Sequence, residues 1–263
     1  MNRINELFAR KQADILNVYF TAGFPQRDST ATIIKTLTEA GVDLIEIGMP
    51  YSDPLADGPT IQESGSQALR NGMNLPLLFE QIAEVRREVD VPLVMMGYLN
   101  QVLQYGFDRF LADCQKVGVD GLILPDLPLH EYEQMYREKV EAAGLGISFL
   151  ITPQTSAERI RKVDELSRGF IYMVSSAAIT GAKNTISDQQ VAYFERIAAM
   201  DLNNPRLIGF GISSHDTFST ACRYAAGAII GSAYIRALAK SEDIKQTTFD
   251  FVSGIRNEEL TTS

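Results

Sequence analysis

The sequence predicts an α/β protein: a single (β/α)₈ barrel over residues 1–263, with a short N-terminal helix. Three observations predict it. Eight short apolar runs recur along the chain, helical periodicity fills the stretches between them, and in several units a glycine closes the helix just before the next run. Strands that alternate with helices form right-handed βαβ units and hence a parallel sheet. Eight units in 263 residues suit a closed TIM barrel, with a doubly wound open sheet as the alternative.

In chain order, Ile4, Leu7 and Phe8 in MNRINELFARK stand at helical spacing among charges, a short amphipathic helix without the apolar core of a secretory signal. The predicted strands are NVYFTAG (17–23), DLIEIG (43–48), VPLVMMG (91–97), VDGLILP (119–125), GISFLIT (146–152), GFIYMVS (169–175), RLIGFGI (206–212) and AAGAIIG (225–231). Leu78, Ile82 and Val85, and later Ile160, Val163 and Leu166, mark helical faces between strands. EAGVDLIEIG and KVGVDGLILP repeat one pattern of helix end, Gly turn and strand entry, and no low-complexity linker divides the chain.

Composition narrows the function classes. Hydrophobic residues make up 45% of the chain, enough for a sizeable core, yet no segment approaches the roughly eighteen apolar residues of a membrane span. The formal charge of −9, with no basic stripe, argues against nucleic acid. Cys114 and Cys222 fall in predicted helices without a C-x-x-C, which suits buried thiols in a reducing cytoplasm. His130 and His215 show no metal-ligand spacing, so no metal site is expected and acid–base work falls to carboxylates or tyrosines.

The segment LIEIGMPYSDPLADGPTIQ (44–62) carries the chemistry. If Ile45 and Ile47 pack on helices, Glu46 points into the barrel near its C-terminal mouth, where barrel enzymes place catalytic groups. A carboxyl there tends to keep its proton. A satisfied structural Glu is the competing reading. Pro50, Pro54, Pro59 and Gly58 stiffen the following loop and hold Asp57 nearby, so that two carboxyls in different surroundings can serve as acid and anion. Asp53 reads equally well as a turn carboxylate. Glycine clusters ITGAKN (179–184), GFGISS (209–214) and IIGSAYI (229–235) fall at the last three strand ends, where backbone N–H groups suit a phosphate.

Glu46 with GMPYSDPLADGPTIQ resembles the signature of the tryptophan synthase alpha chain family, as do YFTAGFP, GYLNQVLQYG, PDLP, GFGIS and IIGSA, across almost the whole chain. The resemblance implies retro-aldol cleavage of indole-3-glycerol phosphate to indole and glyceraldehyde 3-phosphate, with Glu46 as general acid/base and Asp57 bonded to the indole N–H. It further implies phosphate binding by Gly181, Gly209, Gly211, Gly231 and Ser232, and a site or lid lined by Phe20, Tyr172, Thr180 and Phe210. The implied partner is the beta chain, in an alpha2beta2 assembly, with pyridoxal phosphate in the partner and no cofactor here. Tyr51, Ser52, Asp53, Pro54, Asn100, Leu103, Gln104, Asp126 and Pro128 are the expected partner face. The chain departs from the family pattern at SSAAITG, where an Arg and an extra Gly are often found, and at Gln104, often Asn.

The residues support such chemistry independently. Lys35, Lys116, Lys139 and Lys162 fall in helix-like segments and Lys183 in a loop, so no Schiff-base lysine is evident. A substrate whose indole ring accepts the electrons needs none. Another phosphosugar barrel, or a catalytically idle barrel that only activates a partner, are the rival readings.

Overall fold

The computed structural model describes residues 2–175, 186–209 and 211–257. Among these, nine strand segments form one parallel sheet: β1 (Ile15–Thr21), β2 (Leu44–Gly48), β3 (Leu93–Met96), β4 (Gly121–Ile123), β5 (Gly146–Ile147), β6 (Leu150–Ile151), β7 (Ile171–Val174), β8 (Arg206–Gly209) and β9 (Gly227–Ile230). Their order is β5-β4-β3-β2-β1-β9-β8-β7-β6. Since β5 and β6 are consecutive pieces of one predicted strand, the ribbon curls until its ends meet, and the architecture is the eight-unit barrel.

The break in the fifth strand has a local cause. Gly146–Ile147 pairs with β4, but on its other side the Arg168 N–H donates to the Ile147 carbonyl (2.8 Å) in an antiparallel bridge. A Cβ on Gly146 would lie 2.5 Å from the Arg168 carbonyl oxygen, so glycine permits this approach. Two residues on, the Tyr172 N–H reaches the Phe149 carbonyl at 3.0 Å, and β6 pairs with β7.

Alternation along the strands sorts the side chains into two cores. Leu16, Val18 and Phe20 of β1 and Ile45 and Ile47 of β2 join a cluster with helix residues such as Ile33, Ile34 and Leu37. Ile15, Leu44, Val94, Ile123, Tyr172, Leu207 and Ile229 fill the barrel interior. The helix Arg3–Arg10 closes its lower end: Ile4 and Leu7 join that interior cluster, and Gly121 and Gly169 leave room for Ile4. Asn2 caps this helix and ties it to the Asp120 and Gly144 carbonyls (2.6 and 2.9 Å). Among the described residues, no helix is long and apolar enough to cross a membrane.

Candidate active site

At the mouth, three of the inward positions at the strand ends are glycines. Gly48, Gly209 and Gly231 stand where side chains would otherwise fill the mouth. The notches they leave are occupied by aromatic rings from below. A Cβ on Gly48 would fall on the Tyr19 hydroxyl, one on Gly209 would come 2.4 Å from the Tyr172 hydroxyl, and one on Gly231 would come 3.3 Å from the Tyr19 ring.

Glu46 lies one inward position below Gly48 on β2, beside Tyr19 in register, and is 1% exposed. Burial pushes its carboxyl up to about 8; a hydrogen bond from Asn17 lowers it, and the charge of Asp57 raises it again. Asn17 Nδ2 donates to Glu46 Oε2 at 3.2 Å, while Oε1 has no partner. Asp57 is half-buried on the loop after β2. Burial raises its carboxyl too, and the Tyr98 hydroxyl, donating to Oδ2 at 3.0 Å, works against that rise. The same hydroxyl accepts from the Ala56 N–H (3.0 Å), so Tyr98 fixes the loop as well as its carboxylate. Fully buried Glu46 is therefore the proton holder of the pair, and partly hydrated, hydrogen-bonded Asp57 is the better anion.

Tyr172 points inward, as the resemblance implies, with its phenol pKa raised by burial and by the charges of Glu46 and Asp57. Phe20 is a correction. It is fully buried on the helix-facing side of β1, and Tyr19, one residue earlier, is the side chain that enters the site. A shift of one residue reverses the face of a strand. The signal was present in NVYFT, where Asn17, Tyr19 and Thr21 share one face and Val18 and Phe20 the other. Tyr98 was missed for a different reason: it lies beyond β3, where period gives no guide.

At the opposite side of the mouth, Gly209 ends β8, and Gly211 follows with φ of +79°. Gly231 caps the helix Ser232–Ala239, whose first-turn N–H groups lack acceptors within the helix. Tyr19, whose ring lies on Gly231 and whose hydroxyl lies at Gly48, spans the space between this end and the acids. Thr180, Gly181, Phe210 and most of the 175–188 loop lie outside the described residues.

The expected partner-face residues all lie on the mouth side. Ser52, Asp53, Asn100, Leu103, Gln104, Asp126 and Pro128 are exposed, and Tyr51 and Pro54 half-buried. Leu103 is 47% exposed. Several brace the acid loop: Tyr51 stacks on Tyr98 with ring centroids 5.1 Å apart, Asn100 donates to the Tyr51 hydroxyl (2.7 Å), and Asp126 accepts from the Leu99 N–H (2.9 Å). The Asp53 carboxylate accepts from the Ser52 hydroxyl at 2.7 Å.

A parallel barrel with a buried, proton-holding acid at the C-terminal ends of its strands defines a barrel enzyme whose chemistry belongs to that face. The match to the family described as tryptophan synthase alpha chain spans residues 5–260. The tryptophan synthase alpha chain of Phocaeicola vulgatus is 53% identical over 258 residues, covering 98% of this chain and all of its own. The crystal structure of tryptophan synthase subunit alpha from Legionella pneumophila superposes with a TM-score of 0.88 at 30% identity, covering 98% of both chains. The tryptophan synthase complex from Pyrococcus furiosus gives 0.86 at 30% identity, over 94% of this chain and 99% of that one. The chain belongs to the tryptophan synthase alpha chain family.

Proposed function

We propose that the protein is a carbon–carbon lyase that cleaves indole-3-glycerol phosphate to indole and glyceraldehyde 3-phosphate. The observation that carries the reading is Glu46, sealed in the barrel mouth with its carboxyl pushed up to about 8, beside the better-hydrated Asp57.

The chemistry follows from those two environments. Neutral Glu46 delivers its proton to C3 of the indole ring, giving a cationic indolenine. Asp57 as an anion stabilises the positive ring N–H. Glu46, now ionised, takes the proton of the hydroxyl on the adjacent glycerol carbon. The C–C bond breaks, its electrons return to the ring, and the carbon becomes the aldehyde. Glu46 ends protonated as it began. The ring is the electron sink, so the proposed reaction calls on no resident cofactor. Exposed Lys35, Lys116 and Lys139 and half-buried Lys162 all lie on helices rather than on strands facing the interior, in keeping with this route. Gly209, Gly211, Gly231 and Ser232 are the proposed phosphate end.

A free apolar product gives a physical reason for a partner that consumes it. The proposed partner is the tryptophan synthase beta chain, in an alpha2beta2 assembly, holding the pyridoxal phosphate and docking on the Tyr51–Pro54, Asn100–Gln104 and Asp126–Pro128 segments. The test is indole release from indole-3-glycerol phosphate. Wild type should release indole slowly alone, and Glu46→Gln should fold normally and lose at least about a thousandfold. Activation of a beta chain without turnover by wild type would favour the idle-barrel reading.

A further inference from the structure

We propose that Asn17 is a positioning residue for Glu46: its side-chain amide holds one carboxyl oxygen and leaves the other as the oxygen that carries the catalytic proton. The consequence for turnover rests on the cleavage reaction proposed above; the pairing rests on geometry alone.

Asn17 lies on β1, one inward position below Tyr19, and is wholly buried. Its surroundings are the apolar interior cluster of Ile15, Leu44, Val94 and Ile229. Its amide donates to Glu46 Oε2 at 3.2 Å, and two buried atoms remain without partners, Asn17 Oδ1 and Glu46 Oε1. A buried amide oxygen left unpaired destabilises a fold, so packing does not account for an asparagine here; a leucine of similar size would fill the site at less cost. What leucine cannot do is hold Oε2. The terminal torsion of a glutamate is broad and roughly two-fold, so an unrestrained carboxyl would place its proton on either oxygen. With Oε2 engaged as an acceptor, the proton of the neutral acid resides on Oε1.

The other groups around Glu46 set what the amide works against. Tyr19 approaches from β1, Asp57, held by the Tyr98 hydroxyl, from the loop after β2, and Tyr172 from β7, while β3 itself presents Val94 and Met96. Asp57 disfavours the ionised form of Glu46, and the Asn17 donor favours it. Removing the donor therefore makes Glu46 a weaker acid and moves its titration to higher pH.

The experiment compares the full-length Asn17→Leu and Asn17→Met variants with wild type and Glu46→Gln. Asn17→Met removes the donor with a differently shaped apolar side chain and adds no titrating group, which guards against a packing artefact in the leucine variant. Urea unfolding as a function of pH reads the Glu46 proton without any substrate. The fall in stability that Glu46 contributes should extend to higher pH in both variants, with the Asn17→Leu midpoint at pH 5 no lower than that of wild type. In indole release, kcat should drop about ten- to a hundredfold with KM within about threefold, and the basic limb of the kcat profile should move to higher pH. A lower midpoint at every pH, with the Glu46-linked window and the basic limb unmoved, makes Asn17 a structural residue and overturns the proposal. Should wild type release no indole, the cleavage reading fails separately, and the unfolding window still decides the pairing.

Discussion

Glu46 holds its proton because the fold denies water to its charge, and this has a cost that can be measured. The unfolded chain titrates this side chain near 4.5 and the folded one near 8. Below 4.5 both states bind the proton. As pH rises from there the unfolded state releases it while the folded state keeps it, so stability falls until about pH 8 and then levels. Glu46→Gln removes the titration. The variant should therefore be more stable than wild type by about 3 kcal/mol at pH 7, the gain vanishing near pH 4, as urea midpoints across that range will show. Activity should move the other way. Tyr98 offers a milder probe, since its hydroxyl both donates to Asp57 and accepts from the Ala56 N–H. Tyr98→Phe should keep the Tyr51 stack, raise the Asp57 carboxyl and slow indole release about tenfold. Equal rates for Tyr98→Phe and wild type would remove Tyr98 from the support of Asp57.

The N-terminal helix is a stopper held by two side chains rather than by its length. Ile4 and Leu7 are each 1% exposed within the barrel's lower interior. Ile4→Ala leaves a cavity there and should destabilise the protein by roughly 2–4 kcal/mol, with kcat of the folded enzyme unchanged because the acids lie at the other end. Elements of this kind were legible in the sequence: a parallel strand buried on both faces appears as an apolar run, and a stopper helix as Ile4, Leu7 and Phe8 at helical spacing. The inward direction of Glu46 was legible too, since Ile45 and Ile47 flank it. The resemblance put Phe20 in the site where the structure puts Tyr19: the two are adjacent and both aromatic, and only the polar neighbours at 17 and 21 mark which face of β1 is inward. The divided fifth strand was hidden for another reason. It depends on Arg168, twenty-two residues past Gly146, and no local pattern around 146–152 announces such a contact.

The whole molecule keeps its two tasks at opposite ends. Below, charges are paired for stability: Asp120 receives Arg86 at 3.0 Å and Arg3 at 3.1 Å, and Asp43 receives Lys11 and Arg256. Above, Glu46 and Asp57 have hydrogen bonds but no cation within ion-pair distance among the described residues. Leu103 belongs to that upper surface and is exposed, so charging it should leave the isolated protein intact. Leu103→Asp is expected to weaken association with the beta chain at least about tenfold, while the uncoupled rate of indole release stays within about twofold. Titration calorimetry and the uncoupled assay read the two quantities separately.

The seam in the fifth strand bears on how this barrel closes. Ser148 answers to β4, through its N–H on the Leu122 carbonyl, and Phe149 answers to β7, through its carbonyl on the Tyr172 N–H. One peptide link thus hands the wall from one neighbour to the other. Closure of the cylinder at this point therefore rests on single bonds to each side, Ser148 to Leu122 and Tyr172 to Phe149, rather than on one continuous ladder.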